Sequence, residues 1–154
     1  MVLIHQNLYQ EDNLTGVDLK DYFIKLIRGL FDSYNIRKSQ IDLDIEIEDI
    51  NLDVDTVIPL GLIANELISN SLKYAFQEQN KQGLIRVALK EVDDHLALTV
   101  QDNGVGIDPE QMNTLGTSFG YRLIYVLIEQ LNAKIEVDSS GTSIQVIVKK
   151  YTKT

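Results

Sequence analysis

Several features that mark particular classes of protein are missing from this chain. It has no cysteine, which excludes disulfide bonds and thiolate metal sites. Basic residues number 14 against 23 acidic ones, and a formal net charge of −9 argues against a sequence-independent grip on nucleic acid or anionic membrane. No run approaches the roughly 20 apolar residues of a membrane span, and the N-terminus lacks the pattern of a signal peptide. We therefore expect a cytoplasmic domain without nucleic-acid or membrane contacts.

What is present is the composition of an ordinary globular domain. Its 154 residues are 44% hydrophobic and 24% charged, enough for one domain with a sizeable core. Periodicity predicts the order helix, strand, helix, strand pair, glycine-bearing loop, helix, strand pair. This order predicts an α+β fold, a two-layer α/β sandwich whose mixed, mostly antiparallel sheet has helices on one face. The predicted helices are 18–34, 60–76 and 119–132, and the predicted strands are 41–48, 84–92, 95–100, 134–138 and 143–149.

The central helix, 60–76, carries an unusual polar stripe. Glu66, Asn70, Lys73 and Tyr74 fall at i, i+4, i+7 and i+8, so they project from one face of a nearly apolar helix. A narrow polar seam of this kind suggests the wall of a pocket. The alternative is an acid that stabilises the helix, with the amide and the lysine in solvent. Pro59 is predicted to lie just before the helix, and the inward-facing positions are Leu60, Ile63, Ala64, Leu67, Ser71 and Ala75.

A strand is predicted to end at Asp102, after which the chain turns through Gly104 and Gly106. Glycine lets backbone approach a ligand closely, and a carboxylate at a strand end can accept a hydrogen bond from an exocyclic amine. The alternative is a tight Asn-Gly hairpin. It fits poorly, because the sequence from Asp108 onward is typical of a helix start.

Two later segments also combine glycine with hydroxyl residues. The run 115–122 enters a helix, and unpaired N–H groups there suit a phosphate, although a simple cap at Ser118 explains the same residues. Gly141 and Thr142 lie at a turn between two strands, which alone indicates only a hairpin.

Together these segments resemble the Bergerat-type ATP-binding domain shared by sensor histidine kinases, type II topoisomerases and mismatch-repair ATPases. Residues 65–74, Asn-Glu-Leu-Ile-Ser-Asn-Ser-Leu-Lys-Tyr, look like the family's asparagine box. Residues 102–106, Asp-Asn-Gly-Val-Gly, look like its first glycine box, and Gly120 and Gly141 fall where later boxes belong. The histidine kinase catalytic domain is the most similar branch. Residues 3–9 and 53–65 resemble the subfamily whose dimerisation domain is similar to that of bacterial light- and stress-sensing kinases.

For the phosphate end of a nucleotide the resemblance implies four roles. Asn70 would supply an oxygen ligand to Mg²⁺, and Glu66 would act near the γ-phosphate as a base or as orienter of the nucleophile. Lys73 would neutralise phosphate charge, and Tyr74 would line the nucleotide pocket. The inventory suits phosphoryl transfer from MgATP, which depends mainly on positioning and charge neutralisation.

For the base end and the loops the resemblance implies that Asp102 accepts the adenine amino group, with Thr142 helping to hold it. Gly104 and Gly106 would let the chain pass the nucleotide, and 108–117 would form a lid. Ser118 and Gly120 would belong to the second glycine box. That box usually has two glycines flanking one residue, whereas here Ser118 replaces the first glycine.

The phosphoacceptor is not evident in this chain. Its two histidines are His5, within a segment resembling the end of a dimerisation helix, and His95, at a strand start that suits a solvated side chain. Residues 1–17 are accordingly predicted to be the tail of a dimerisation domain, and 18–154 the ATP-binding catalytic domain. The expected partners are a histidine-phosphoacceptor domain and a response regulator receiver domain.

Two other functions are compatible with the same resemblance. The reduced second glycine box suits a nucleotide-binding regulatory module that docks to a partner without phosphotransfer, as anti-sigma-type relatives do. A clamp ATPase of the topoisomerase kind fits less well. Such domains continue into a transducer domain, whereas this sequence stops at Thr154, and its acidic surface argues against a DNA partner.

Overall fold

The structure, a computed structural model, describes residues 16–34, 41–72, 83–104, 119–138 and 143–153. Its helices and strands confirm the predicted α+β class. Across these ranges no helix has both the length and the apolar sequence needed to cross a membrane. In chain order the elements are β1 (Val17–Asp18), α1 (Leu19–Ser33), β2 (Ile41–Ile47), β3 (Asn51–Leu52), α2 (Val54–Asn70), β4 (Gly83–Val92), β5 (His95–Asp102), α3 (Phe119–Gln130), β6 (Lys134–Val137) and β7 (Ser143–Val148).

The main sheet has five strands in the order β2-β4-β5-β7-β6. Only the β2–β4 pair is parallel, and the other three pairs are antiparallel, so the predicted mixed, mostly antiparallel sheet is confirmed. The β4–β5 hairpin turns at Asp93 and Asp94, whose φ values of 50° and 65° are those of the tight turn that matches strand twist. With two strands on each side, β5 is the middle strand of the sheet.

Alternation along the strands gives the sheet one buried and one open face. The open face carries charged side chains. On this face, two acidic residues of β2 form ion pairs with basic residues of β4, the neighbouring parallel strand. The distances are 2.9 Å from Asp44 to Arg86 and 2.6 Å from Glu46 to Lys90. The acidic stripe of β2 is therefore partly neutralised, although each exposed pair contributes at most about 1 kcal/mol. The buried face comprises Ile85, Val87, Leu89, Leu96, Leu98, Val100, Ile144, Val146 and Val148.

Helix α2 begins six residues earlier than the sequence predicts. Its first residue is Val54, so Pro59 lies inside the helix and not before it. The backbone carbonyl of Asp53 accepts hydrogen bonds from the amides of Thr56 and Val57, which starts the helix upstream of the proline. Pro59 removes only the bond to the carbonyl of Asp55, an exposed residue whose carbonyl water can satisfy.

The same helix forms the middle of the helical layer. It contacts α1, α3 and β5. Because it is covered on several sides, ten of its residues are buried. Close packing against α1 depends on Gly61, since a Cβ at that position would lie 2.7 Å from Cε1 of Tyr22.

A second, two-stranded sheet joins the beginning and the end of the described chain. Strands β1 and β3 pair antiparallel, and Lys153 forms a bridge to Leu52. The Asp53 carboxylate accepts hydrogen bonds from the Thr56 hydroxyl at 2.8 Å and from the Thr152 amide at 2.9 Å. Segments of two residues carry no periodicity, which is why the sequence did not predict this sheet.

The glycines of α1 and α2 provide a matched test of helix packing. Gly61→Ala should lower the free energy of unfolding by about 1–3 kcal/mol, because the new methyl group overpacks against Tyr22. Gly29→Ala, where a Cβ meets nothing within 4 Å, should instead raise it by about 0.5–1 kcal/mol. Urea unfolding of both variants measures the difference. Equal effects at the two sites would contradict the close contact.

Candidate functional site

The end of α2 meets the end of the central strand. The Ser71 hydroxyl donates a hydrogen bond to Oδ2 of Asp102 at 2.9 Å, across a separation of 31 residues in sequence. Ser71 directly follows Asn70, the last residue of α2, and Asp102 is the last residue of β5. The two segments that resemble the asparagine box and the first glycine box are therefore in contact.

The Asp102 carboxylate lies on the helix side of the sheet. Alternation with Leu98 and Val100, both buried, points it inward. Its second oxygen, Oδ1, accepts a hydrogen bond from the amide of Gly104 at 2.9 Å. Burial raises the pKa of Asp102, and the hydrogen bonds from Gly104 and Ser71 offset part of the rise. The result is a partly desolvated acceptor held by two donors.

The neighbouring Asn103 has a structural role. Its side-chain oxygen accepts a hydrogen bond from the Leu84 amide at 2.7 Å, and its own amide donates to the Leu84 carbonyl at 3.2 Å. These two bonds close the end of the β4–β5 pair. They fix the point at which the chain leaves the sheet toward Gly104.

Asn70 and Glu66 lie one turn apart on α2, and both are half-buried. The Asn70 Nδ2 atom is buried and has no hydrogen-bond partner in the described structure. Leaving such a donor unsatisfied costs about 1–3 kcal/mol, so the atom invites a ligand acceptor. A phosphate oxygen would satisfy Nδ2 and leave the amide oxygen free for a hard cation. The donor set therefore fits a magnesium–phosphate group.

Within the described ranges, no cluster of three or more histidine, cysteine, aspartate or glutamate side chains is arranged to hold a metal ion. A cation held by the amide oxygen of Asn70 would take further oxygen ligands from phosphate groups. Magnesium commonly binds in this way, through few protein groups and the phosphates.

Other predicted site residues are covered unevenly. Gly120 is the second residue of α3, at the predicted helix entrance. His95 starts β5, so it stands about 23 Å along the strand from Asp102, given the rise per residue of a strand. That distance agrees with a histidine outside the site. Lys73, Tyr74, Gly106, Ser118, Thr142, the predicted lid 108–117 and His5 lie outside the described residues.

Ser71 has a polar partner that the sequence did not indicate. Its helical spacing grouped it with the small and apolar positions that pack inward. It does point inward, but its partner there is the Asp102 carboxylate. A hydroxyl at an inward position directly after Asn70 was the available signal, and periodicity does not distinguish it from alanine.

Comparison with known proteins agrees with this geometry. Residues 55–152 match the family described as "Histidine kinase-, DNA gyrase B-, and HSP90-like ATPase". This match covers more than half of the chain and includes both halves of the site. The chain belongs to this ATPase family. A domain of this family binds ATP.

Individual relatives cover the chain to different extents. The chain is 32% identical over 107 residues to a "Probable C4-dicarboxylate sensor kinase" of Bacillus subtilis, covering 60% of this chain and 19% of that protein. It is 24% identical over 147 residues to "Blue-light-activated histidine kinase 2" of Erythrobacter litoralis, covering 89% of this chain and 41% of that protein. The chain thus spans less than half the length of these relatives.

A solved structure has the same fold. The histidine kinase domain of the Erythrobacter litoralis EL346 blue-light-activated histidine kinase superposes with a TM-score of 0.78 at 22% identity. The match covers 94% of this chain and 74% of that one. It supports the Bergerat-type fold expected from the sequence.

Removing the charge of Asp102 should stabilise the ligand-free domain. Burial raises the pKa of Asp102 above its unfolded value, so its contribution to the free energy of unfolding falls as pH rises through the folded pKa. Asp102→Asn abolishes this dependence and keeps an acceptor for Gly104. The variant should therefore gain stability relative to the wild type between about pH 4 and pH 7.

Denaturant unfolding across this pH range measures the gain. Asp49→Asn removes the same charge from an exposed loop position and serves as the matched control. An equal pH-dependent gain in both variants would indicate a general charge effect and contradict the local one.

Proposed function

We propose that this chain contains the ATP-binding catalytic domain of a sensor histidine kinase. It transfers the γ-phosphoryl group of MgATP to a histidine on an adjoining domain. The observation that carries the proposal is the contact between Ser71 and Asp102, which joins the helix bearing Glu66 and Asn70 to the strand-end carboxylate. Residues 18–154 form this domain, and 1–17 are the tail of a dimerisation domain.

Asp102 recognises the base. Its carboxylate accepts a hydrogen bond from the exocyclic amino group of adenine. Guanine presents an oxygen in the same place, so two acceptors would face one another in a partly desolvated site. Because the carboxylate is held by Ser71 and Gly104, it keeps its orientation before the nucleotide arrives.

Asn70, Glu66 and Lys73 act at the phosphate end. Asn70 would hold Mg²⁺ through its amide oxygen and donate from Nδ2 to a phosphate oxygen. When bound, the ion would neutralise charge on the phosphates. Lys73 adds a positive charge there, and Glu66 accepts a proton from the attacking imidazole or orients it. Tyr74, Gly104, Gly106, Ser118, Gly120 and Thr142 complete the nucleotide pocket.

Phosphoryl transfer forms a bond between the phosphorus and an imidazole nitrogen and breaks the bond to ADP. The protein contributes position and charge, because such transfers need no covalent help from the enzyme beyond the nucleophile. The acceptor histidine belongs to a dimerisation domain, and the phosphoryl group passes from it to a response regulator receiver domain. The domain is cytoplasmic. A docking module without transfer is not favoured, because the relatives are named as kinases.

Nucleotide binding gives the first test. ATP should bind the wild-type chain, and Mg²⁺ should strengthen the binding. Asp102→Asn should weaken it by about 10- to 100-fold, because the amide places a donor against the adenine amino group. Calorimetric titration with and without Mg²⁺ measures these constants. Absence of ATP binding by the wild type would overturn the proposal.

Phosphotransfer gives the second test. Glu66→Gln should leave the dissociation constant of MgATP within about twofold and reduce transfer by about 100-fold or more, since a positioned general base contributes on that scale. The chain fused to a dimerisation domain of the relatives is incubated with radiolabelled ATP, and acid-labile phosphohistidine is counted. Glu129→Gln, at an exposed position of α3, is the control. A wild-type fusion that binds ATP and forms no phosphohistidine would favour the docking module.

A further inference from the structure

We infer that Ser71 is a positioning residue that sets the preference for adenine by holding the Asp102 carboxylate in the orientation that accepts the exocyclic amine. The inference rests on the proposed function, because it concerns the same nucleotide site.

The Asp102 carboxylate is held by two hydrogen bonds, here called the clamp, and Ser71 donates one of them. The terminal torsion of an aspartate is broad, so one hydrogen bond does not fix the carboxylate plane. Here each oxygen has its own donor, with Gly104 N–H on Oδ1 and the Ser71 hydroxyl on Oδ2, both at 2.9 Å. The donors come from different elements, the chain after β5 and the end of α2. Rotation of the carboxylate therefore breaks at least one of these bonds.

The clamp leaves acceptor capacity for a ligand. An ionised carboxylate has about four lone-pair sites. The two donors occupy two of them, so a base amine can bond to the same group without displacing either donor. Ser71 thus holds Asp102 without competing with the nucleotide.

The ionised form of Asp102 is disfavoured by burial and, to a smaller extent, by the negative charge of Asp138, whereas the hydrogen bonds from Gly104 and Ser71 favour it. Asp138 is itself bonded, through Oδ1, to the amide of Ser143 at 3.3 Å. Without the Ser71 hydroxyl, Oδ2 of Asp102 would lose its hydrogen bond from the end of α2.

The backbone around Ser71 adds a second observation. Ser71 has the φ and ψ of an α-helix, −61° and −44°, so it directly continues α2. The Ser71 amide donates to the carbonyls of Leu67 and Ile68. These bonds anchor the residue that reaches across to the sheet.

The test compares nucleotides with and without the amine. The intact chain is titrated calorimetrically with the magnesium complexes of ATP and of purine riboside triphosphate, which lacks the exocyclic amino group. Ser71→Ala should weaken ATP by about tenfold, equivalent to 1.4 kcal/mol, and leave the purine nucleotide within about twofold. Ser71→Thr, which keeps the hydroxyl, should restore most of the preference. Ser69→Ala removes a buried hydroxyl from the same helix and should leave both constants unchanged.

A double-mutant cycle separates positioning from packing. In the Asp102→Asn background, Ser71→Ala should have little further effect on ATP, because the group that it positions is gone. Equal weakening of both nucleotides by Ser71→Ala, or an undiminished effect in the Asp102→Asn background, would overturn the inference. So would an unchanged preference for ATP.

The outcome also distinguishes this inference from the proposed function. Wild-type binding of ATP with an adenine preference that survives Ser71→Ala would reject only the role of Ser71. Failure of the wild type to bind ATP would reject both.

Discussion

The burial of α2 is the constraint on which the rest of the structure depends. A helix that contacts two other helices and the central strand must be apolar on most of its circumference. Near its C-terminal end, the polar residues Glu66, Asn70 and Ser71 are half-buried. That end of α2 contacts the end of β5, the middle strand of the sheet. The position of the site is therefore set by where the buried helix ends.

This placement explains how a chain of net charge −9 accommodates a polyanionic ligand. Long-range attraction does not draw a nucleotide toward such a protein. Binding has to come from short-range groups with fixed directions. In the proposed site, the Asn70 amide and the Asp102 carboxylate would supply them, so recognition would depend on geometry more than on charge.

The sequence predicted the fold class and all five strands of the main sheet, because periodicity reports on segments of many residues. It failed where a single local interaction decides. Helix α2 begins ahead of Pro59, although a proline usually marks the start of a helix, because the Asp53 carbonyl accepts the first helical hydrogen bonds. Ser71 was predicted to pack inward. It does point inward, but periodicity does not reveal the hydrogen bond that its hydroxyl donates. Asn103 lies within a glycine-box motif, yet its side chain serves the sheet.

The open face of the sheet has a practical consequence for spectroscopy. The chain contains no cysteine, so any thiol introduced into it would be unique. Val92 lies at the turn end of β4, is 54% exposed, and is at the far end of the β4–β5 hairpin from Asp102. A cysteine there is close to valine in size. A fluorophore or spin label attached to it would report on the domain from a position that disturbs neither the core nor the nucleotide site.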